Sequence, residues 1–274
     1  MGRESSSDEY VFGFGVSISG QYKIVRFHDE VDFLLTCQVY NLGIGQWKNI
    51  PIDSQLVFWY QHEFLPTLVN GNLHWLLFDI YKSFTDPPRV FCLDLETKLF
   101  KFFSCPSAVQ NHNEGTWYEL SALKGRLCFS DDANHDVTKI WCMKKYGDDK
   151  SWTKDYVIKR KPSMYRLPDF FHRRVKGNRP YNLHDYTSGR DLDLVIDFQN
   201  HCHDPLYPVK AFKDGGILLA LHLSARLFYY SDTTKDIREI KKERNHARSN
   251  LVIHNPNFVS LKSLVMKNMR VKLL

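Results

Sequence analysis

Three groups of residues carry side chains capable of chemistry. His201-Cys202-His203-Asp204 presents, in succession, ligand types that zinc accepts. Adjacent residues on an extended chain point to opposite sides, and no second Cys/His cluster at ligand spacing accompanies the run, so it reads as a polar loop and no metal is expected. Asp191, Asp193 and Asp197 alternate with apolar residues along Asp191-Leu192-Asp193-Leu194-Val195-Ile196-Asp197. That is the pattern of a strand with one solvated acidic face, and a glycosidase-type carboxylate pair is the chemistry it would otherwise offer. His74, set between Leu73 and Trp75 in an apolar run, suits a buried histidine bonded to backbone better than a catalytic base. The chain has no Gly-x-Ser-x-Gly elbow, phosphate-cradling glycine loop or His-Glu-x-x-His pattern. Hydrolase, kinase and metalloprotease chemistry therefore lack a starting residue, and neither an enzyme nor a cofactor is expected.

Binding chemistry has a clearer source. The formal net charge of +6 is concentrated between residues 154 and 179, where Lys159-Arg160-Lys161 and His172-Arg173-Arg174 are interleaved with Tyr165, Phe170 and Phe171. Such a segment can contact an acidic protein, hold phosphates and stack bases, or simply lie solvated with its aromatics over a core edge. Exposed aromatics and arginines are the usual anchors of a protein interface, which makes Tyr165, Arg166, Phe170, Phe171, Arg173 and Arg174 the candidate partner-binding residues. Nucleic-acid binding through residues 154–179 is the alternative function. The mixed-sign stretch from Lys235 to Arg248 reads as a solvated turn.

The elements that must position these residues are set by a repeat. An apolar strand, a polar turn and a strand opened by a bulky residue recur at Gln38–Leu42, Val90–Leu95, Lys139–Met143 and Leu227–Tyr230. Their second strands begin near Trp47, Phe100, Trp152 and Ile237, spaced 53, 52 and 85 residues apart. A turn glycine before an apolar strand recurs at Gly71, Gly125 and Gly215, spaced 54 and 90 apart. Both markers keep a period of about 50 residues, as in kelch-type blades, and both run long in one place. An insertion is therefore expected between Trp152 and Gly215. Runs such as Val90–Leu95 are apolar on both faces, and nothing between them has the length or 3.6-residue period of a covering helix. Sheets must then cover sheets, and the expected fold is all-β: a β-propeller-like array of antiparallel sheets, with a β-sandwich as the alternative.

Particular residues along this array resemble a known family. Gly13-Phe14-Gly15 followed by Tyr22-Lys23-Ile24-Val25-Arg26 is similar to the opening of the F-box-associated interaction domain of plant F-box proteins. Val39-Tyr40-Asn41-Leu42 with Gln46-Trp47-Lys48, then Val69–Leu76 and Phe91–Leu95, resemble its successive strands. Ile140-Trp141-Cys142-Met143-Lys144-Lys145-Tyr146-Gly147 with Ser151-Trp152-Thr153-Lys154 resembles its most specific signature, and Phe258–Leu264 resembles its closing strand. The resemblance implies the substrate-recognition part of a Skp–cullin–F-box (SCF) ubiquitin ligase receptor, a protein-interaction module with no active site. The F-box itself is not found upstream of Gly13. The adaptor and cullin are accordingly expected as partners only of a longer product, and the chain reads as a fragment, a truncated gene model or a natural variant without the F-box.

The resulting division is a polar tail over 1–11, an F-box-associated β domain over 12–264 with an inserted basic segment at about 154–205, and a tail over 265–274. Met1-Gly2-Arg3-Glu4-Ser5-Ser6 fits a myristoylation pattern poorly because a charged pair follows the glycine. The six cysteines lie far apart with no CxxC pair and read as free thiols packed as small hydrophobes. With no apolar run long enough to cross a bilayer, a cytoplasmic or nuclear protein is expected.

Overall fold

The computed structural model describes residues 11–29, 35–52, 58–60, 66–79, 88–107, 109, 118–134, 136–161, 164, 205–221 and 226–240. Their strands form four antiparallel sheets that follow one another in chain order. The first sheet is β1 (Val11–Val16), β2 (Tyr22–Asp29), β3 (Leu35–Asn41) and β4 (Gln46–Ile50). In the second, β5 (Phe58–Tyr60) and β6 (Thr67–Val69) pair with different ends of β7 (Asn72–Asp79), and β8 (Arg89–Asp94) and β9 (Phe100–Ser104) continue outward. The third holds β10 (Tyr118–Leu123), β11 (Arg126–Asn134), β12 (Val137–Met143) and β13 (Trp152–Lys159). The fourth holds β14 (Leu206–Ala211), β15 (Ile217–Leu221), β16 (Leu227–Ser231) and β17 (Asp236–Ile240).

Each marker of the sequence repeat falls on a fixed place in a sheet. The strand–turn–strand copies are the outer hairpins β3–β4, β8–β9, β12–β13 and β16–β17, and the turn glycines open the second strands of the later sheets. Local chemistry explains the turns. In the outer hairpins the Asn41 and Asp94 side chains accept from the backbone N–H groups of Gly43 and of Glu96 and Thr97, closing Asx turns. Asn70 and Gly71, with φ of 49° and 71°, give the paired left-handed residues that a two-residue hairpin requires. The long interval between the third and fourth copies lies between the end of β13 at Lys159 and the start of β14 at Leu206.

Three buried clusters fill the spaces between successive sheets. Val25, Cys37 and Val39 of the first sheet meet Leu73, Trp75 and Phe91 of the second. Val90, Cys92 and Phe103 meet Tyr118, Leu127, Phe129 and Met143 of the third. On the third sheet's opposite face, Cys128, Ile140, Cys142 and Ile158 meet Leu206, Ile217, Leu219 and Phe228 of the fourth. The second and third sheets are thus covered on both faces, which a two-layer sandwich does not allow. The sheets approach one another along β1 on β7, β10 on β6 and β7, and β14 on β10, away from the outer hairpins, so they radiate as propeller blades do. The Gly-Phe-Gly opening has its reason here. A Cβ on Gly13 would lie 2.9 Å from the Leu73 Cδ1, and one on Gly15 would lie 2.7 Å from the Leu95 Cδ1, so β1 meets the second sheet with bare backbone.

Candidate interaction site

The connection from β12 to β13, Lys144–Ser151, is built to reach across a sheet boundary. Ser151 folds it: its hydroxyl accepts from the Lys145 N–H (3.0 Å) and lies 2.8 Å from the Lys145 carbonyl. The Asp148 side chain accepts from the Lys150 N–H at 3.1 Å and starts a short 3-10 turn over Asp149–Ser151. Gly147 passes through φ of 82°. Two groups then fasten the loop to the outer strand of the second sheet. The Asp149 carboxylate accepts from the Ser104 N–H at 3.0 Å, and the Trp152 indole N–H donates to the Ser104 carbonyl at 2.9 Å.

A third fastening is deeper. The Tyr146 ring lies edge-on to His74 and Phe103, and its hydroxyl is 2.9 Å from His74 Nε2 and 3.5 Å from Cys92 Sγ. His74 Nδ1 lies 2.9 Å from the Thr67 carbonyl, which can only accept. Nδ1 therefore carries the proton, and Nε2 accepts from the tyrosine. Burial lowers the imidazole pKa to about 4, against the pull of the Thr67 carbonyl, and the ring is neutral. The same burial raises the Cys92 thiol to about 11 and holds the Tyr146 hydroxyl above its ordinary value. Every titratable group in this cluster is thus pushed to its uncharged form, which suits a latch between sheets.

The latched loop and β9 enclose an open cleft of about 750 Å³. Phe103 and Tyr146 line it on the side of the third sheet, and Phe100 and Phe102 border it from the opposite face of β9, where Phe100 stacks on Phe91 at 5.0 Å and the Arg89 guanidinium sits 4.7 Å from the Phe102 ring. Lys101, Lys145 and Lys150 rim it. Lys101 and Lys145 are each 3.8 Å from a carboxylate, those of Asp94 and Asp148. Asp148 and Asp149 line it as well, and aromatic surface bordered by charges of both signs can receive a protein segment carrying apolar and polar side chains. The sequence does not single out this cleft, although its loop lies within the Ile140–Lys154 signature, whose chain spacing hides the pairing with Ser104 and His74.

The sequence-predicted residues fare differently. Tyr165, Arg166, Phe170, Phe171, Arg173 and Arg174 lie outside the described residues, as do His201–Asp204 and Asp191, Asp193 and Asp197. Within the basic segment, Lys159-Arg160-Lys161 is not a uniform charged surface. Arg160 is buried and pairs with the buried Asp132, while its Nε donates to the Thr138 hydroxyl at 3.0 Å. Asp132 also accepts from the Leu206 N–H at 2.9 Å, which ties the third sheet to the first strand of the fourth. Burial raises the Asp132 carboxyl to about 6 against the pull of Arg160. Lys161 reaches the Asp236 carboxylate at 2.8 Å. Two of the three cations in that run therefore have intramolecular work, and the phosphate-binding reading loses them.

A radial stack of antiparallel sheets, three four-stranded and one five-stranded, joined by side-chain latches, is a β-propeller-type fold. The chain belongs to the family of the F-box associated beta propeller domain, whose model matches residues 2–184. Among curated relatives, F-box protein CPR1 of Arabidopsis thaliana is 28% identical over 187 residues, covering 58% of this chain and 43% of that protein. F-box protein At4g22390 of Arabidopsis thaliana is 24% identical over 174 residues, covering 57% of this chain and 42% of that protein. The chain thus spans less than half the length of the curated relatives it matches. Solved structures show a looser likeness. TolB from Acinetobacter baumannii aligns with a TM-score of 0.39 at 14% identity, covering 86% of this chain and 44% of that one. Aleuria aurantia lectin aligns with a TM-score of 0.41 at 12% identity, covering 86% and 62%. No helix among the described residues is long and apolar enough to cross a membrane.

Proposed function

We propose that this chain is the target-holding part of an F-box receptor of an SCF-type ubiquitin ligase, acting in the cytoplasm or nucleus through binding alone. The observation that carries the reading is the family match over residues 2–184, together with relatives that are themselves F-box proteins. The F-box-associated domain spans 12–264, and the cleft between β9 and the Lys144–Ser151 loop is its target surface on the described residues. A Skp-type adaptor and a cullin join only a product that carries an F-box.

Affinity capture tests this with two baits, the chain alone and the chain fused behind an F-box, from plant extract. The fused bait is expected to bring down the adaptor and cullin, and both baits to share one further protein that is lost with Phe102→Ala plus Lys150→Glu. Copurification of nucleic acid with no shared protein would replace this reading with the phosphate-binding one.

A further inference from the structure

Cys128 and Cys142 are two of the five free, buried cysteines among the described residues, and they differ from the others in their placement. The register of β11 and β12 sets them directly opposite one another. Opposed residues of antiparallel strands have Cα atoms about 4.5–5.5 Å apart and side chains on one face, a separation that a disulfide spans without moving the backbone. Their sulfur atoms lie 2.8 Å apart, inside the van der Waals contact of two unbonded sulfurs. Around them is apolar packing from Leu123, Ile140 and Tyr156, and their further polar contacts are Cys128 Sγ with the Arg126 carbonyl at 3.8 Å and with the Leu123 backbone, and the Cys142 side chain with that of Asp155. Cys37 lies in the cluster between the first two sheets, and Cys92 and Cys105 in the one between the second and third. Two thiols kept only as small hydrophobes would stand a full contact apart, as neighbouring valines do.

We propose that Cys128 and Cys142 are a reversible dithiol–disulfide pair, closed by exchange with a low-molecular-weight disulfide such as oxidised glutathione. One thiol loses its proton, and its sulfur attacks a glutathione sulfur. The glutathione S–S bond breaks, and one glutathione leaves as thiolate and takes up a proton. The second protein thiol, also deprotonated, attacks the mixed disulfide, forms the Cys128–Cys142 bond and releases the second glutathione. The protein is oxidised by two electrons and one glutathione disulfide is reduced to two thiols. Folding controls the rate. The neighbouring Cys142 sulfur and burial hold the Cys128 thiol far above its ordinary pKa, so thiolate forms when β11 and β12 part locally, and the closed bond is shielded once they re-pair. A reversible pair of this kind fits the transient, redox-responsive disulfides that occur in reducing compartments. Cys142 lies two residues before Lys144, so the bond fixes the root of the loop that frames the cleft.

The full chain is equilibrated at graded ratios of oxidised to reduced glutathione without denaturant. It is then alkylated in denaturant, digested without reduction and read by mass spectrometry. A linked peptide pair joining Cys128 to Cys142 is expected, in a protein lighter by two hydrogens. It should reach half-conversion at a ratio about tenfold lower than any other cysteine pair. Dithiothreitol should restore both thiols. Full alkylation of both residues at the most oxidising ratio, linkage of either to a different cysteine, or closure only in denaturant overturns the assignment. Cys142→Ala should abolish the linked pair and leave Cys37, Cys92 and Cys105 alkylated as before; the measurement on the unaltered chain decides the matter even where that variant folds poorly.

Discussion

Acidification discriminates the neutral His74 latch from an ordinary buried side chain. In the unfolded chain the imidazole titrates at 6.5, and in the fold burial lowers it to about 4. Stability from the neutral ring is therefore complete above pH 6.5 and is lost as the pH falls toward 4, because only the unfolded chain takes up the proton. Between pH 7 and pH 5 the loss amounts to about 2 kcal/mol. Asp132 works in the other direction. Its carboxyl is raised above the ordinary value, so it adds stability as the pH falls and offsets part of the histidine effect in the intact chain. The discriminating quantity is thus a difference between two chains. His74→Gln keeps an amide that can reach the Tyr146 hydroxyl and removes the titrating group, while Asp132 remains in both. Urea unfolding followed by tryptophan fluorescence, at pH 7 and pH 5, is expected to show a pH-induced loss about 2 kcal/mol larger in the intact chain than in the variant. Equal pH responses within about 0.5 kcal/mol would refute a neutral, desolvated His74.

Three further substitutions test the junctions between sheets. Tyr146→Phe leaves the buried His74 Nε2 without its donor and should cost about 1–3 kcal/mol in urea unfolding, with faster amide exchange in the Lys144–Ser151 loop. Gly15→Val places branched carbons where even a Cβ would lie 2.7 Å from Leu95, so β1 must withdraw; a loss of about 1–3 kcal/mol and a lower thermal midpoint are expected. Arg160→Met strands the Asp132 carboxylate in the interior and should destabilise by about 3–5 kcal/mol. Adding Asp132→Leu should recover most of that loss, and a double variant no better than the single one would contradict the pairing.

What was legible in the sequence was what repeats locally. The outer hairpins show because a turn with an Asx or left-handed residue must follow an apolar strand wherever a sheet reverses, and Asn41, Asp94, Gly147 and Lys235 meet that need in the four of them. The turn opening β2 is less legible: Gly20 takes φ of 81°, but Gln21 follows it and Tyr22 and Lys23 begin the strand in place of an aliphatic run. Lys23 nevertheless lies buried, its ammonium bonded to the Leu95 carbonyl, and burial lowers its pKa. The Ile140–Lys154 signature was legible as a pattern and silent about its partners. Ser104 lies 45 residues from Asp149, and His74 lies 72 from Tyr146, separations that only the stacking of the second sheet on the third turns into contacts. Arg160 looks like surface charge in the sequence for the same reason: its counterion Asp132 stands 28 residues back on another strand. The candidate binding residues from Tyr165 to Arg174 belong to the interval between β13 and β14, where no repeat supplies a template.

Because each buried cluster is shared by two chain-adjacent sheets, the described part of the molecule behaves as a short row of nearest neighbours. A substitution at the seam between the second and third sheets is felt there and reaches the seam beyond only through the third sheet's own strands. Such a scaffold lets one connecting loop change its chemistry while the seams on either side keep their registry.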